Sequence, residues 1–107
     1  MRNRPRAASE VFAALGDETR LRIVSRLSAE GPLSITRLAE ESPVTRQGIT
    51  KHLRVMERAG LARCTRRGRE SLWQLEEKRI VEARRHLDAI SRQWESALER
   101  LRVFVEE

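Results

Sequence analysis

At 107 residues and 12.4 kDa the chain makes one domain, with a modest core that a partner chain would help stabilise and no room for a comfortably buried catalytic cleft. Its 22 Lys and Arg against 16 Asp and Glu are unevenly placed: residues 1–75 hold 15 basic and 8 acidic side chains, residues 76–107 hold 7 and 8, so one part is suited to a polyanion and the other to protein. The single Cys64 excludes an internal disulfide, the N-terminal MRNRPRAAS lacks the apolar run of a secretory signal, and no segment approaches the roughly 20 apolar residues of a membrane span, so a cytoplasmic protein is expected.

Residues 1–8 are polar, contain Pro5 and show no periodicity, which predicts a flexible basic arm whose Arg2, Arg4 and Arg6 are either solvated or within reach of phosphates. Ser9 is the expected N-cap of a short helix ending near Leu15 and Gly16, with Val11, Phe12 and Leu15 inward. Asp17 caps a second helix, in which Leu21, Val24 and Leu27, with Ile23, repeat at helical spacing while Arg20, Arg22 and Arg26 lie elsewhere on its surface. Glu30-Gly31-Pro32 ends it. Ser34 then caps a short third helix with Ile35, Leu38 and Ala39 inward, and Ser42-Pro43 turns the chain before Thr45 caps a fourth. Two short helices joined by a tight turn form a helix-turn-helix unit.

In the fourth helix Ile49, Leu53 and Met56 fall at i, i+4 and i+7 and define the buried face, leaving Arg46, Gln47, Thr50, Lys51, Arg54 and Arg58 opposite. Gly60 stands where a left-handed C-cap is wanted. Leu61 to Thr65 and Ser71 to Leu75 read as strands joined through Arg66-Arg67-Gly68-Arg69, the wing of a winged helix-turn-helix over residues 9–75. From Glu77 there is neither proline nor glycine, and Ile80, Ala83, Leu87, Ile90, Trp94, Ala97, Leu101 and Phe104 alternate at intervals of 3 and 4. Such a seam packs on another helix. Val81, Leu98 and Val105 widen the stripe, so residues 76–107 are expected to pack on their own domain and to pair with a second copy through Ile80, Leu87, Ile90, Trp94, Leu101 and Phe104. The fold expected is mainly α with a small β-hairpin wing, dimerising through a long C-terminal helix.

The outer residues of the fourth helix suit a major-groove reader. Arginine forks onto guanine O6 and N7, glutamine pairs with adenine N6 and N7, and threonine offers a hydroxyl and a methyl for thymine. Arg46, Gln47 and Thr50, in its first turns, are therefore the candidate base readers, while Lys51, His52 and Arg54 are placed for phosphates or packing. Gly48 weakens the helix by roughly 1 kcal/mol relative to alanine, a cost that a close approach of backbone to DNA would justify. Arg66, Arg67 and Arg69 in the wing suit a DNA backbone or minor groove and add affinity more than sequence choice; Arg63 is either a further contact or an exposed strand residue.

Chemistry of other kinds has little support. His52, Cys64 and His86 are the soft metal ligands, and no two of them have zinc-site spacing. His52 is expected on the helix surface or DNA interface, Cys64 on a half-buried strand, and His86 on the exposed flank of the last helix. No nucleophilic triad, phosphate-binding glycine loop or carboxylate pair stands out, so no catalysis is expected. Trp73 and Trp94 sit alone at apolar positions, too few for a single-strand stacking surface.

The runs FAALGDETRLRIVSRL (12–27), LAEESPVTRQGITKHLRVMERAGL (38–61) and RRGRESLWQL (66–75) resemble the ArsR-type winged-helix repressors, in the family's order. The resemblance implies a dimer joined through terminal helices, with two recognition helices in successive major grooves of an operator, released when an effector, often a metal ion, binds. Metal-sensing members carry paired cysteines on the helix before the recognition helix, where this chain has Ser34-Ile35-Thr36-Arg37-Leu38. Others set His and carboxylate ligands along the terminal helix, where His86 stands alone and Ala97 and Leu98 occupy the place of a later ligand. The chain is thus similar to members without metal ligands, so no cofactor is expected and the signal is an organic ligand, a thiol modification or another protein. The function expected is a sequence-specific, homodimeric repressor bound to double-stranded DNA. Its half-sites lie one or two helical turns apart, a turn being roughly 34 to 36 Å. The alternative is a helical adaptor whose seam binds another protein and whose DNA association is non-specific.

Overall fold

The computed structural model describes the backbone of residues 5–106 and the side chains of residues 8–106. Helix α1 spans Pro5–Leu15 and starts at the proline, not at Ser9. Proline is favoured in the first helical position, where its fixed φ fits and its missing N–H is not needed. Residues 5–8 of the expected arm are thus helical; Arg2, Arg4 and the side chain of Arg6 lie outside the described residues. Helix α2, Glu18–Glu30, is capped by Asp17, whose carboxylate accepts from the Arg20 N–H at 3.0 Å. Helix α3, Ile35–Glu40, and helix α4, Arg46–Arg58, are capped by Ser34 and Thr45, which accept from the N–H groups of Arg37 and Gly48 at 3.2 and 3.1 Å.

Gly60, at φ +74°, lets the chain leave α4 and enter strand β1, Ala62–Arg67, which pairs antiparallel with β2, Glu70–Leu75. Arg66 and Arg67 belong to the strand rather than to the turn, which is only Gly68-Arg69. Gly68 has φ +64° and no described non-glycine residue has positive φ, the arrangement of a type II′ hairpin with glycine in the first central position. A two-stranded hairpin is marginal in water by itself. Here Leu33 supplies a third contact, its N–H and C=O bonding the Trp73 backbone at 3.0 and 2.8 Å.

The core gathers Val11 and Ala14 of α1, Ile23 and Leu27 of α2, Leu38 of α3, Ile49, Leu53 and Met56 of α4, and Leu61, Ala62 and Trp73 of the wing. Each large apolar side chain so buried contributes about 1.5–3 kcal/mol. Leu21 does not join them; it is 51% exposed, because Ile23 and Leu27 already carry the inner face of α2. Two of the three α2 arginines expected on the surface instead stitch helix ends together. Arg20 Nε donates to the Ala14 carbonyl at 2.6 Å, and Arg26 Nη1 donates to the carbonyls of Arg37 and Leu38 at 3.1 and 3.3 Å. Both satisfy carbonyls that a helix C-terminus leaves unpaired. Arg26 also bonds Glu30 at 2.9 Å and holds that carboxyl below its ordinary pKa.

Helix α5 spans Glu77–Glu106, 30 residues and so about 45 Å. It packs on α1 near its start, burying Ala83 and half-burying Ile80 against the core, and then leaves the domain. The radius of gyration, 17.8 Å, exceeds the about 13 Å of a compact domain of this length. No described helix is long and apolar enough to cross a membrane.

Candidate nucleic-acid interface

Arg46, Gln47, Lys51, Arg54 and Arg58 are exposed on α4, opposite Ile49, Leu53 and Met56, which are at most 1% exposed. Thr50 is half-buried and its hydroxyl donates to the Arg46 carbonyl at 2.9 Å, leaving its methyl and oxygen lone pairs toward the surface chemistry expected of it. Arg54 reaches Glu57 at 3.2 Å and lies 5.9 Å from the Trp73 ring centroid, so it braces α4 on the wing. At Gly48 a Cβ would stand 2.5 Å from Val44 Cγ1. An alanine at this position of α4 would therefore force Val44, in the preceding turn, to shift, a reason for glycine that makes no reference to DNA.

An open groove runs between α3, the start of α4 and the wing tip, lined in part by Thr36, Arg37, Arg46, Arg69 and Ser71. Arginines of α3, α4 and the hairpin turn thus line one concavity, together with Glu40 and Glu70. Thr36 and Arg37 were not among the sequence candidates; the signal for them was their polar position on a helix whose Leu38 is buried, beside a recognition helix. Arg37 lies 3.5 Å from Glu30 and 3.7 Å from Glu40, long and solvent-exposed pairs worth little energetically.

Arg66 and Arg67 are exposed on successive residues of β1 and so point to opposite faces of the hairpin. Arg63 is engaged at the base of the wing, 2.7 Å from Glu76. His52 departs from the expected set: its ring is half-buried, with Nδ1 3.3 Å from Arg20 Nη1 and 3.7 Å from Asp17 Oδ2. It faces the start of α2, not the groove. Cys64 is exposed rather than half-buried, since its strand faces solvent beyond Ala62. His86 is half-buried rather than on an exposed flank, and its Nε2 is buried without a hydrogen bond. Among the described residues no three His, Cys, Asp or Glu side chains come together as a metal ion would need.

Residues 15–65 match a helix-turn-helix domain family. The HTH-type transcriptional regulator Rv2034 of Mycobacterium tuberculosis is 37% identical over 93 residues, 87% of this chain and 83% of that protein. An ArsR-like transcriptional regulator from Rhodococcus sp. RHA1 superposes with a TM-score of 0.75 at 33% identity, covering 90% of each chain. The chain belongs to the ArsR-type winged helix-turn-helix family. As an ArsR-type protein it is a DNA-binding transcriptional regulator, and the family is one of regulators, not of enzymes. The same fold occurs in the homodimeric winged helix-turn-helix DNA-binding domain of Mb0332 from Mycobacterium bovis, with a TM-score of 0.64 at 20% identity over 82% of each chain. In this ArsR-type chain the wing, α3 and α4 are positioned by Trp73, Leu38 and Leu53 in one core, so the groove is a fixed surface.

Proposed function

We propose that the chain is a homodimeric, cytoplasmic repressor that occupies a two-half-site operator. Arg46, Gln47 and Thr50 read base edges, Lys51 and Arg54 meet phosphates, and Arg66, Arg67 and Arg69 hold the flanking backbone or minor groove. Arg37 joins them from α3, the helix that crosses the DNA backbone in a helix-turn-helix complex. The observation that carries this reading is the shared groove of Arg37, Arg46 and Arg69.

Pairing through α5 is supported by an apolar stripe with no cover: Leu87, Ile90, Trp94, Leu98, Leu101 and Phe104 are 45–76% exposed. A stripe of this extent marks an interface. Ile80 contributes to the domain core instead, since α5 still lies on its own protomer there. The homodimeric M. bovis neighbour supports the same assembly. A two-fold dimer would carry two copies of α4, as the two-fold symmetry of a two-half-site operator asks.

The test is fluorescence anisotropy on the DNA upstream of the protein's own coding sequence and on a shuffled duplex, at two salt concentrations. Tighter binding to the native duplex, retained at the higher salt, supports specific repression, and a downstream reporter should fall when the protein is supplied. Equal binding to both that vanishes with salt would reject that DNA as the operator.

A further inference from the structure

The contact between Arg20 and His52 ties α4 to the corner between α1 and α2, away from the groove. Arg20 is held there twice, through Nε to the Ala14 carbonyl at 2.6 Å and through its backbone N–H to Asp17 Oδ2 at 3.0 Å. Its Nη1 is then 3.3 Å from His52 Nδ1. A guanidinium only donates, so this contact is a hydrogen bond only in the tautomer that leaves the Nδ1 lone pair free and carries its proton on Nε2. We propose that His52 is a positioning residue and not a DNA contact, holding the recognition helix against the α1–α2 corner through Arg20, and that protonation of its ring withdraws that support. The inference rests on reading α4 as the helix that enters the major groove.

The consequence of protonation follows from the groups around the ring. From α2 the charged groups are Arg20 and Asp17; α1 approaches through the Ala14 carbonyl that fixes Arg20; on α4 itself Lys51 is adjacent and exposed. A protonated Nδ1 meets Arg20 as donor against donor and cation against cation. The acceptor available to it is Asp17 Oδ2, at 3.7 Å too far for a hydrogen bond and already receiving the Arg20 N–H. To reach that oxygen the ring must turn toward Asp17 and give up its contact with Arg20.

The sign of the pH response separates the two roles. A histidine lying against phosphates gains a positive charge on acidification and tightens every DNA complex, whereas a positioning histidine loses operator binding while non-specific binding holds. With a duplex enriched by the wild-type protein from a random-sequence library, operator affinity is expected to fall about fivefold or more from about pH 7.5 to about pH 5.5. His52→Asn, whose amide oxygen stands in the place of Nδ1 and accepts from Arg20 at both pH values, should keep the neutral-pH affinity and flatten the profile. Nitrogen-15 NMR of the free wild-type protein should show His52 as the Nε2–H tautomer. A rise in operator affinity at acid pH, an equal fall in His52→Asn, or an Nδ1–H tautomer would overturn the proposal. Failure to enrich any duplex would instead reject the groove-reading function, while the tautomer would still decide the clasp.

Discussion

Helices α4 and α5 carry the same kind of apolar periodicity and meet different fates. On α4, Ile49, Leu53 and Met56 are at most 1% exposed because α1, α2, α3 and the wing surround them. On α5, Trp94 is 64% and Phe104 76% exposed, since past Ala83 the domain has no further element to lay on the stripe. Periodicity therefore specifies that a face is to be buried, and the supply of neighbouring elements decides whether its own chain does the burying.

The sharpest break in the comparison comes from removing one apolar side chain on each helix. Leu53→Ala should cost about 2–5 kcal/mol of unfolding free energy, through the lost burial and the cavity left among close-packed neighbours. Trp94→Glu should leave the winged-helix core intact and yield monomers in light scattering, with the denaturant midpoint of the wild type, unlike the variant, rising with protein concentration. An unaltered dimer in Trp94→Glu would reject α5 as the interface.

The groove sharpens the contrast on the other face of α4. Arg46→Ala should lose about 1–3 kcal/mol at particular base pairs and relax preference there, read as the ratio of operator to random-DNA affinity. Arg67→Ala should weaken both duplexes alike and flatten the salt slope by about one unit. Equal losses on both duplexes for Arg46→Ala would remove it from base reading.

How much of this was legible depended on whether the determinant was local. The buried faces of α4 and α5, the caps at Asp17, Ser34 and Thr45, and the glycine turns stand at fixed short offsets, and the elements they predict are present. Arg20 meeting His52 across 32 residues, Arg26 capping α3, and Leu33 bridging Trp73 have no sequence period to announce them. Ser9 offered a sound cap, but Pro5 offered an earlier helix start. Ile80 belongs to the seam by spacing and to the domain core by position, because the seam begins before α5 leaves the domain. The groove was half legible: Arg46 and Arg69 stood out as basic residues on expected elements, whereas Arg37 gained its place only when α3 was set beside the wing.

Gly48 offers a smaller test on the same helix. Alanine there gains about 1 kcal/mol in helix propensity, yet its Cβ meets Val44 Cγ1 at 2.5 Å and a β-branched side chain has little freedom to withdraw. Gly48→Ala should therefore lower the unfolding midpoint, and adding Val44→Ala should restore part of that loss. A stable single variant that binds DNA poorly would return Gly48 to its first reading, a backbone approach to DNA.

The least effect expected is on the acid limb of stability, and it separates the two halves once more. Asp17 is held below its ordinary pKa chiefly by the Arg20 backbone N–H, and Glu30 below its own by the Arg26 side chain. Both lie in the winged-helix half. A carboxylate whose folded pKa is depressed stabilises the fold above its ordinary pKa and loses that contribution as pH falls through the lowered, folded value. Both groups are solvent-exposed, so the effect is modest. Thermal melts between neutral and strongly acid pH should show Asp17→Asn and Glu30→Gln closing part of their gap to the wild type in this range. An acid limb in both variants identical to that of the wild type would mean that the Asp17 cap and the Arg26–Glu30 clasp contribute no pH-dependent stability.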